Sequence, residues 1–231
     1  MAYLIYIPLA LIPSLIWLFW YLRKDMHPEP KRMIIRIFIW GALVAFPAIL
    51  VENTAIEALK AISLPELPFV FILYFIGVAA TEEIVKFLVV YFRVIKGTNE
   101  LNEPVDAMIY MIVSALGFAA IENIFLLSPL FDKDFLGTLG IAFSRFVGAT
   151  LLHALASAII GYYLALTLFK QKKGLSPLIP GFILAILLHG FYNIFVVYME
   201  EYSYFIFLVG LLMISAAVLI SMFFKELSKL K

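Results

Sequence analysis

LPFVFILYFIGVAATEEIVKFLVVYF, residues 67–92, decides how the rest of the chain is read. An apolar run of spanning length holds three ionisable side chains, Glu82, Glu83 and Lys86, within one and a half helical turns. Charge inside a membrane helix costs on the order of 2.5 to 3.5 kcal/mol per residue on insertion scales, so such a cluster marks a functional site. Glu82 and Lys86 stand four apart with the glutamate N-terminal, the favourable order for a helical ion pair, and Glu83 points about 100° around the helix.

Outward from this stretch the chain is apolar throughout. Of its 231 residues 65% are hydrophobic and 14% charged, which excludes a soluble globular domain of this size. The fold class expected is all-α, a polytopic transmembrane bundle forming one integral membrane domain over residues 1–231, with its catalytic core at 67–198. Apolar runs near or above the ~20 residues needed to cross the hydrocarbon core fall at Ala2–Leu22, Met33–Val51, Leu67–Phe92, Val105–Leu127, Thr138–Phe169, Leu178–Tyr198 and Tyr202–Phe224. These give seven spanning helices. Ala2–Leu22 has no basic segment before it and Arg23 and Lys24 after it, so it reads as a retained helix. His27-Pro28-Glu29-Pro30 ends it in a turn, because each proline biases its predecessor away from the helical region.

A net charge of +1 points to no nucleic-acid partner. The lack of cysteine removes disulfides, thiolate ligands and a cysteine nucleophile together. Basic residues flank the spans on one side at Arg23, Lys24, Lys31, Arg32, Arg36, Arg93, Lys96, Lys170, Lys172, Lys173, Lys225, Lys229 and Lys231, and on the other only at Lys60 and Lys133. Because Lys and Arg near helix ends stay in the cytoplasm, the N-terminus is expected outside and the C-terminus inside. The outer loops then carry the acids Glu52, Glu57, Glu66, Asp132, Asp134, Glu200 and Glu201.

Polar residues recur within four successive spans. Glu82, Glu83 and Lys86 lie on the third, Asp106, Glu122 and Asn123 on the fourth, Arg145 and His153 on the fifth, and His189 and Asn193, again four apart, on the sixth. Facing lipid, each would be costly; one shared, water-accessible cavity is the economical arrangement. Glycines 117, 148, 161, 181 and 190, with neighbouring alanines, let the helices approach closely. Such a cavity has the groups that peptide hydrolysis requires: a base for water, an acid for the leaving amine and a donor for the oxyanion. Glu82 or Glu83 would activate the water, with Glu122 as a further carboxyl that can be held in a different protonation state. His153, His189 and Asn193 would move protons or stabilise the oxyanion, and Lys86 would orient and charge the pair. For a metal the candidates are Glu122, His153 and His189. No HExxH is present, and Zn²⁺-assisted and purely glutamate-driven hydrolysis both stay open. A noncatalytic scaffold and a proton-coupled transporter are the competing classes; a transporter predicts an internal inverted repeat, and none is visible.

Together these residues resemble the PrsW-type intramembrane proteases. The resemblance is carried by Glu82-Glu83-x-x-Lys86, Glu103-Pro104-Val105-Asp106, Tyr110, Gly117-Phe118-Ala119-Ala120-Ile121-Glu122-Asn123, Arg145, His153-Ala154, Gly161-Tyr162 and His189-Gly190-Phe191-Tyr192-Asn193. It runs from about Gly77 to Asn193. It implies endopeptidase action on a membrane-anchored protein substrate of the anti-sigma-factor kind, cut on its extracytoplasmic side, in the cell membrane of a prokaryote. The chain is also similar to the CAAX prenyl endopeptidase and bacteriocin-processing superfamily. That pattern has Arg where Lys86 stands and His where Glu122 stands, which turns the expectation away from prenylated substrates. The superfamily includes a likeness to a noncatalytic γ-secretase subunit, so fold alone does not establish activity.

Overall fold

A computed structural model describes residues 3–25, 27–98, 100–130, 135–169, 176–199 and 201–230. Lys133, Lys170, Lys172, Lys173, Lys231, Asp132, Asp134, Gly174 and Glu200 lie outside the described residues. All regular structure among the described residues is helical: α1 Tyr3–Leu22, α2 Lys31–Ile62, α3 Glu66–Ile95, α4 Pro104–Leu127, α5 Phe135–Val147, α6 Ala149–Phe169, α7 Leu178–Met199 and α8 Phe205–Leu227. Taken as one run across Gly148, α5 and α6 make a 34-residue segment, Leu136–Phe169. Six segments are long and apolar enough to cross a membrane, and α1 contributes a shorter apolar stretch, Ile7–Leu22. The expected bundle of seven helical segments is present.

Three boundaries differ from the sequence reading. The second helix does not stop at Val51 but continues to Ile62, 32 residues in all, until Ser63 adopts a left-handed conformation (φ 55°) ahead of Pro65. Glu52, Glu57 and Lys60 therefore sit on helix, not in an outer loop. The third helix extends to Ile95 and is π-helical over Ile72–Ala80, ending directly before Thr81-Glu82-Glu83. Such stretches widen a helix and recur beside functional groups. The fifth is broken at Gly148, where an added Cβ would lie 2.3 Å from the Tyr192 hydroxyl.

The centre of the bundle is α4, which packs against α1, α2 and α6 and is buried from Pro104 to Ala120. Its start is fixed chemically. Pro104 takes the first helical position, and Asp106 Oδ2 accepts the Glu103 and Asn102 amides at 2.6 and 2.9 Å. Close backbone approach needs small residues at the crossings. A Cβ on Gly117 would come within 2.1 Å of the Phe38 carbonyl oxygen of α2. One on Gly161 of α6 would come within 2.6 Å of Met108 Cα. Outward, α2 and α8 present Ile35, Leu50, Phe207 and Leu211 as exposed apolar side chains, the surface a lipid-facing helix requires.

Candidate active site

Glu82, Glu83 and Lys86 of α3 are enclosed by α4, α6 and α7. Lys86, fully buried, is held by three acceptors: Glu82 Oε2 at 3.0 Å, Glu83 Oε1 at 2.9 Å and His153 Nδ1 at 2.9 Å. Its ammonium also lies 4.5 Å from the centre of the Phe118 ring, a favourable cation–π position. An ammonium only donates, so His153 Nδ1 accepts and the ring proton sits on Nε2, facing Glu122 Oε2 at 2.7 Å. Glu83 receives Ser157 Oγ at 2.7 Å and lies 3.0 Å from His189 Nδ1. With Lys86 it has three partners and no exposure, so Glu83 is shut off from solvent.

Glu82 is the carboxylate at the junction. Its Oε2 lies 3.4 Å from His153 Nδ1 and 3.9 Å from His189 Nε2, and the two imidazoles stand edge to face with centres 5.0 Å apart. Above this floor a cleft of about 590 Å³ is lined by Glu82, Glu122, His153 and His189, and by Glu52, Arg145, Tyr192 and Asn193 on its walls. Arg145 pairs with Glu122 Oε2 at 2.9 Å and donates to Asn123 Oδ1. Asn123 in turn donates to Ala10 O at 3.3 Å and Thr150 Oγ1 at 3.1 Å, tying α4 to α1 and α6. Nine side chains singled out from sequence thus form one connected site, with Asn193 on its wall and Glu83 behind it.

Counting ~1.5 Å per residue from Ile95 and from Pro104 puts Glu122 roughly 7 to 8 Å further from the basic side than Glu82. The His153 ring bridges that step, contacting Glu82 from one nitrogen and Glu122 from the other. The two carboxylates belong to one site despite their different depths.

The set of metal-competent groups differs from the sequence expectation in one member. Glu82, His153 and His189 offer ligand atoms within 4.8 Å of one another. Glu122 is instead engaged on His153 Nε2 and by Arg145. A tetrahedral ion with bonds of about 2.0 to 2.1 Å holds its ligand atoms roughly 3.3 to 3.4 Å apart. The separations of 3.4 and 3.9 Å fit that requirement with little movement. Lys86 contacts the same Oε2 and Nδ1, so an ion on those atoms displaces two of the three ammonium contacts.

Glu52 was missed from sequence as a site residue. It borders the cleft from α2, and its Oε1 is buried without a hydrogen-bond partner among the described residues. A signal was available: no glycine or proline interrupts Glu52 to Ile62, so nothing in the sequence ends the helix at Val51.

The family described as PrsW family intramembrane metalloprotease matches residues 29–222. Among curated proteins, a Protease PrsW of Geobacillus kaustophilus is 32% identical over 199 residues, 85% of this chain and 80% of the relative. One of Oceanobacillus iheyensis is 35% identical over 190 residues, 80% and 79% respectively. One of Clostridioides difficile is 31% identical, covering 85% and 80%. No solved structure matches.

Proposed function

The chain belongs to the PrsW family of intramembrane proteases, and on that footing we propose that it hydrolyses a membrane-anchored protein in the cleft lined by α2 to α8. The observation that carries this reading is the trio Glu82, His153 and His189 at the cleft floor, a donor set with room for water beside two further carboxylates.

In this reading Glu82, His153 and His189 would hold a metal ion, Zn²⁺ by the chemistry of the donors, and the ion would polarise the scissile carbonyl and acidify bound water. The chain's own groups do the rest. Glu122 borders the cleft with about a third of its side chain exposed, and its Oε2 is anchored by Arg145 and His153. Oε1 has no protein partner among the described residues and takes the proton of the attacking water. Glu83 is a positioning residue: it fixes His189 through Nδ1 and keeps Lys86 paired when an ion occupies Glu82 Oε2 and His153 Nδ1. Asn193 and Tyr192 line the wall where a developing oxyanion can be met by a donor.

The clustering of basic residues at the opposite end of the bundle supports a cytoplasmic location for that end. Lys24, Arg93 and Lys96 each lie over an aromatic ring there, as anchors at a membrane interface do. The cleft then opens towards the outer half of the membrane, suited to an extracytoplasmic cut in a protein of the anti-sigma-factor kind. The test is purified protein in liposomes with a library of single-span peptides. Turnover should be abolished by chelator and restored by Zn²⁺; turnover indifferent to chelator would remove the metal from the account.

A further inference from the structure

At the other end of α4 lies a second group of acids that the proteolytic site does not use. We propose that Asp25, Glu29 and Asp106 form a binding site for a hard divalent cation, Ca²⁺ or Mg²⁺, that ties the α1–α2 connection to the first turn of α4. Sixteen residues separate Asp106 from Glu122 on one helix, about 24 Å, so this site is distinct from the cleft.

The three carboxylates are buried, with relative exposures of 7, 7 and 1%. Each offers an oxygen within 4.8 Å of the others. Two oxygens on one Ca²⁺, at bonds of 2.3 to 2.6 Å, can stand up to about 5 Å apart, so one ion can reach all three. Buried charge has to be compensated. Yet none of the three has a Lys, Arg or His ion-pair partner among the described residues. The nearby His27 pairs with Glu103 at 2.7 Å instead.

A hydrogen-bond donor already reaches one oxygen of each carboxylate. Asp106 Oδ2 accepts two backbone amides, Glu29 Oε2 accepts the Tyr110 hydroxyl, and Asp25 Oδ1 accepts the His27 amide at 2.9 Å. Asp25 Oδ2 is buried and has no hydrogen-bond partner among the described residues. An orphaned carboxylate oxygen beside two more acids is a coordination position waiting for a positive charge. All-oxygen donors select a hard cation over zinc, which separates this site chemically from the one at the cleft floor.

Tb³⁺, a luminescent stand-in for Ca²⁺, tests this on the purified full chain in detergent, because Tyr110 is bonded to a proposed ligand and can sensitise the emission. Expected is saturable emission displaced by Ca²⁺ and weakened in affinity by about tenfold or more in Asp25→Asn, with the His153→Ala protein unchanged. Asp25→Asn removes charge from a carboxylate whose Oδ2 has no partner among the described residues, and its fold is checked by elution volume and helical circular dichroism. Glu29→Gln serves as the second variant. No saturable emission in the parent chain, or an affinity in both carboxamide variants equal to that of the parent, would overturn the proposal and leave a cluster neutralised by protons.

Discussion

His153 Nε2 lies 2.7 Å from Glu122 Oε2, so the imidazole that borders Glu82 on one side is braced by a second carboxylate on the other. This contact separates the roles of the two glutamates. Glu122→Gln keeps shape and hydrogen bonding but cannot accept a proton at neutral pH. On the proposed mechanism it should lower kcat by about 10² to 10⁴ without loss of metal content. Glu82→Gln should lose both activity and metal, as measured by turnover and metal content on the same samples. Metal retained in Glu82→Gln would remove it from the ligand set, and full turnover in Glu122→Gln would return the base to Glu82.

Glu83 should behave differently, because it is sealed from the cleft. Removing its charge leaves Glu82 as the one carboxylate facing Lys86, and breaking a buried pair costs on the order of 3 kcal/mol or more. Ser157→Ala, which deletes one hydrogen bond to the same carboxylate, should cost about 1.5 to 3 kcal/mol. Both are read as a fall in Tm in detergent. A Glu83→Gln protein with unchanged Tm would contradict the buried network.

The first connection carries a pH dependence. Burial beside Asp106 and Asp25 pushes the Glu29 carboxyl up to about 8, against a partly offsetting hydrogen bond from Tyr110. A carboxyl raised in the folded state stabilises most below the ordinary carboxyl range and loses that contribution as pH rises towards 8. With chelator present, Tm should therefore decline between about pH 5 and 8, and Glu29→Gln should flatten the decline. An unchanged slope would assign it to other groups.

The topology rests on the basic residues and has a direct test in a chain without cysteine. Ser63, at the end of α2 away from Arg23 and Lys24, should label from outside as Ser63→Cys. Gly174→Cys should label only after permeabilisation. The reverse pattern would invert the orientation and move the cleft to the inner half of the membrane.

Much of this arrangement was legible because charge stands out in apolar helices. Glu82, Glu83, Lys86, Glu122, His153 and His189 were all visible as costly residues on successive spans, and cost alone argued for one cavity. Their pairing was not. Sequence gives no access to which nitrogen of His153 faces which glutamate, and that decides whether Glu82 or Glu122 joins the two imidazoles. Glu52 was lost for another reason. A helix of 32 residues exceeds the length the hydrocarbon core requires, so ending it after about twenty residues turned a cleft residue into a loop acid. The break at Gly148 was equally hidden, since glycine in a membrane helix also serves close packing.

Cleavage by the Glu82→Gln protein, compared with the parent chain in the same liposomes, tests the central claim most directly. Products of a single-span peptide are counted by mass spectrometry, and both proteins are shown folded by elution volume. The account predicts cleavage by the parent chain and none above background by Glu82→Gln with zinc supplied. Equal cleavage by the two would contradict it and move the chemistry away from the floor of this cleft.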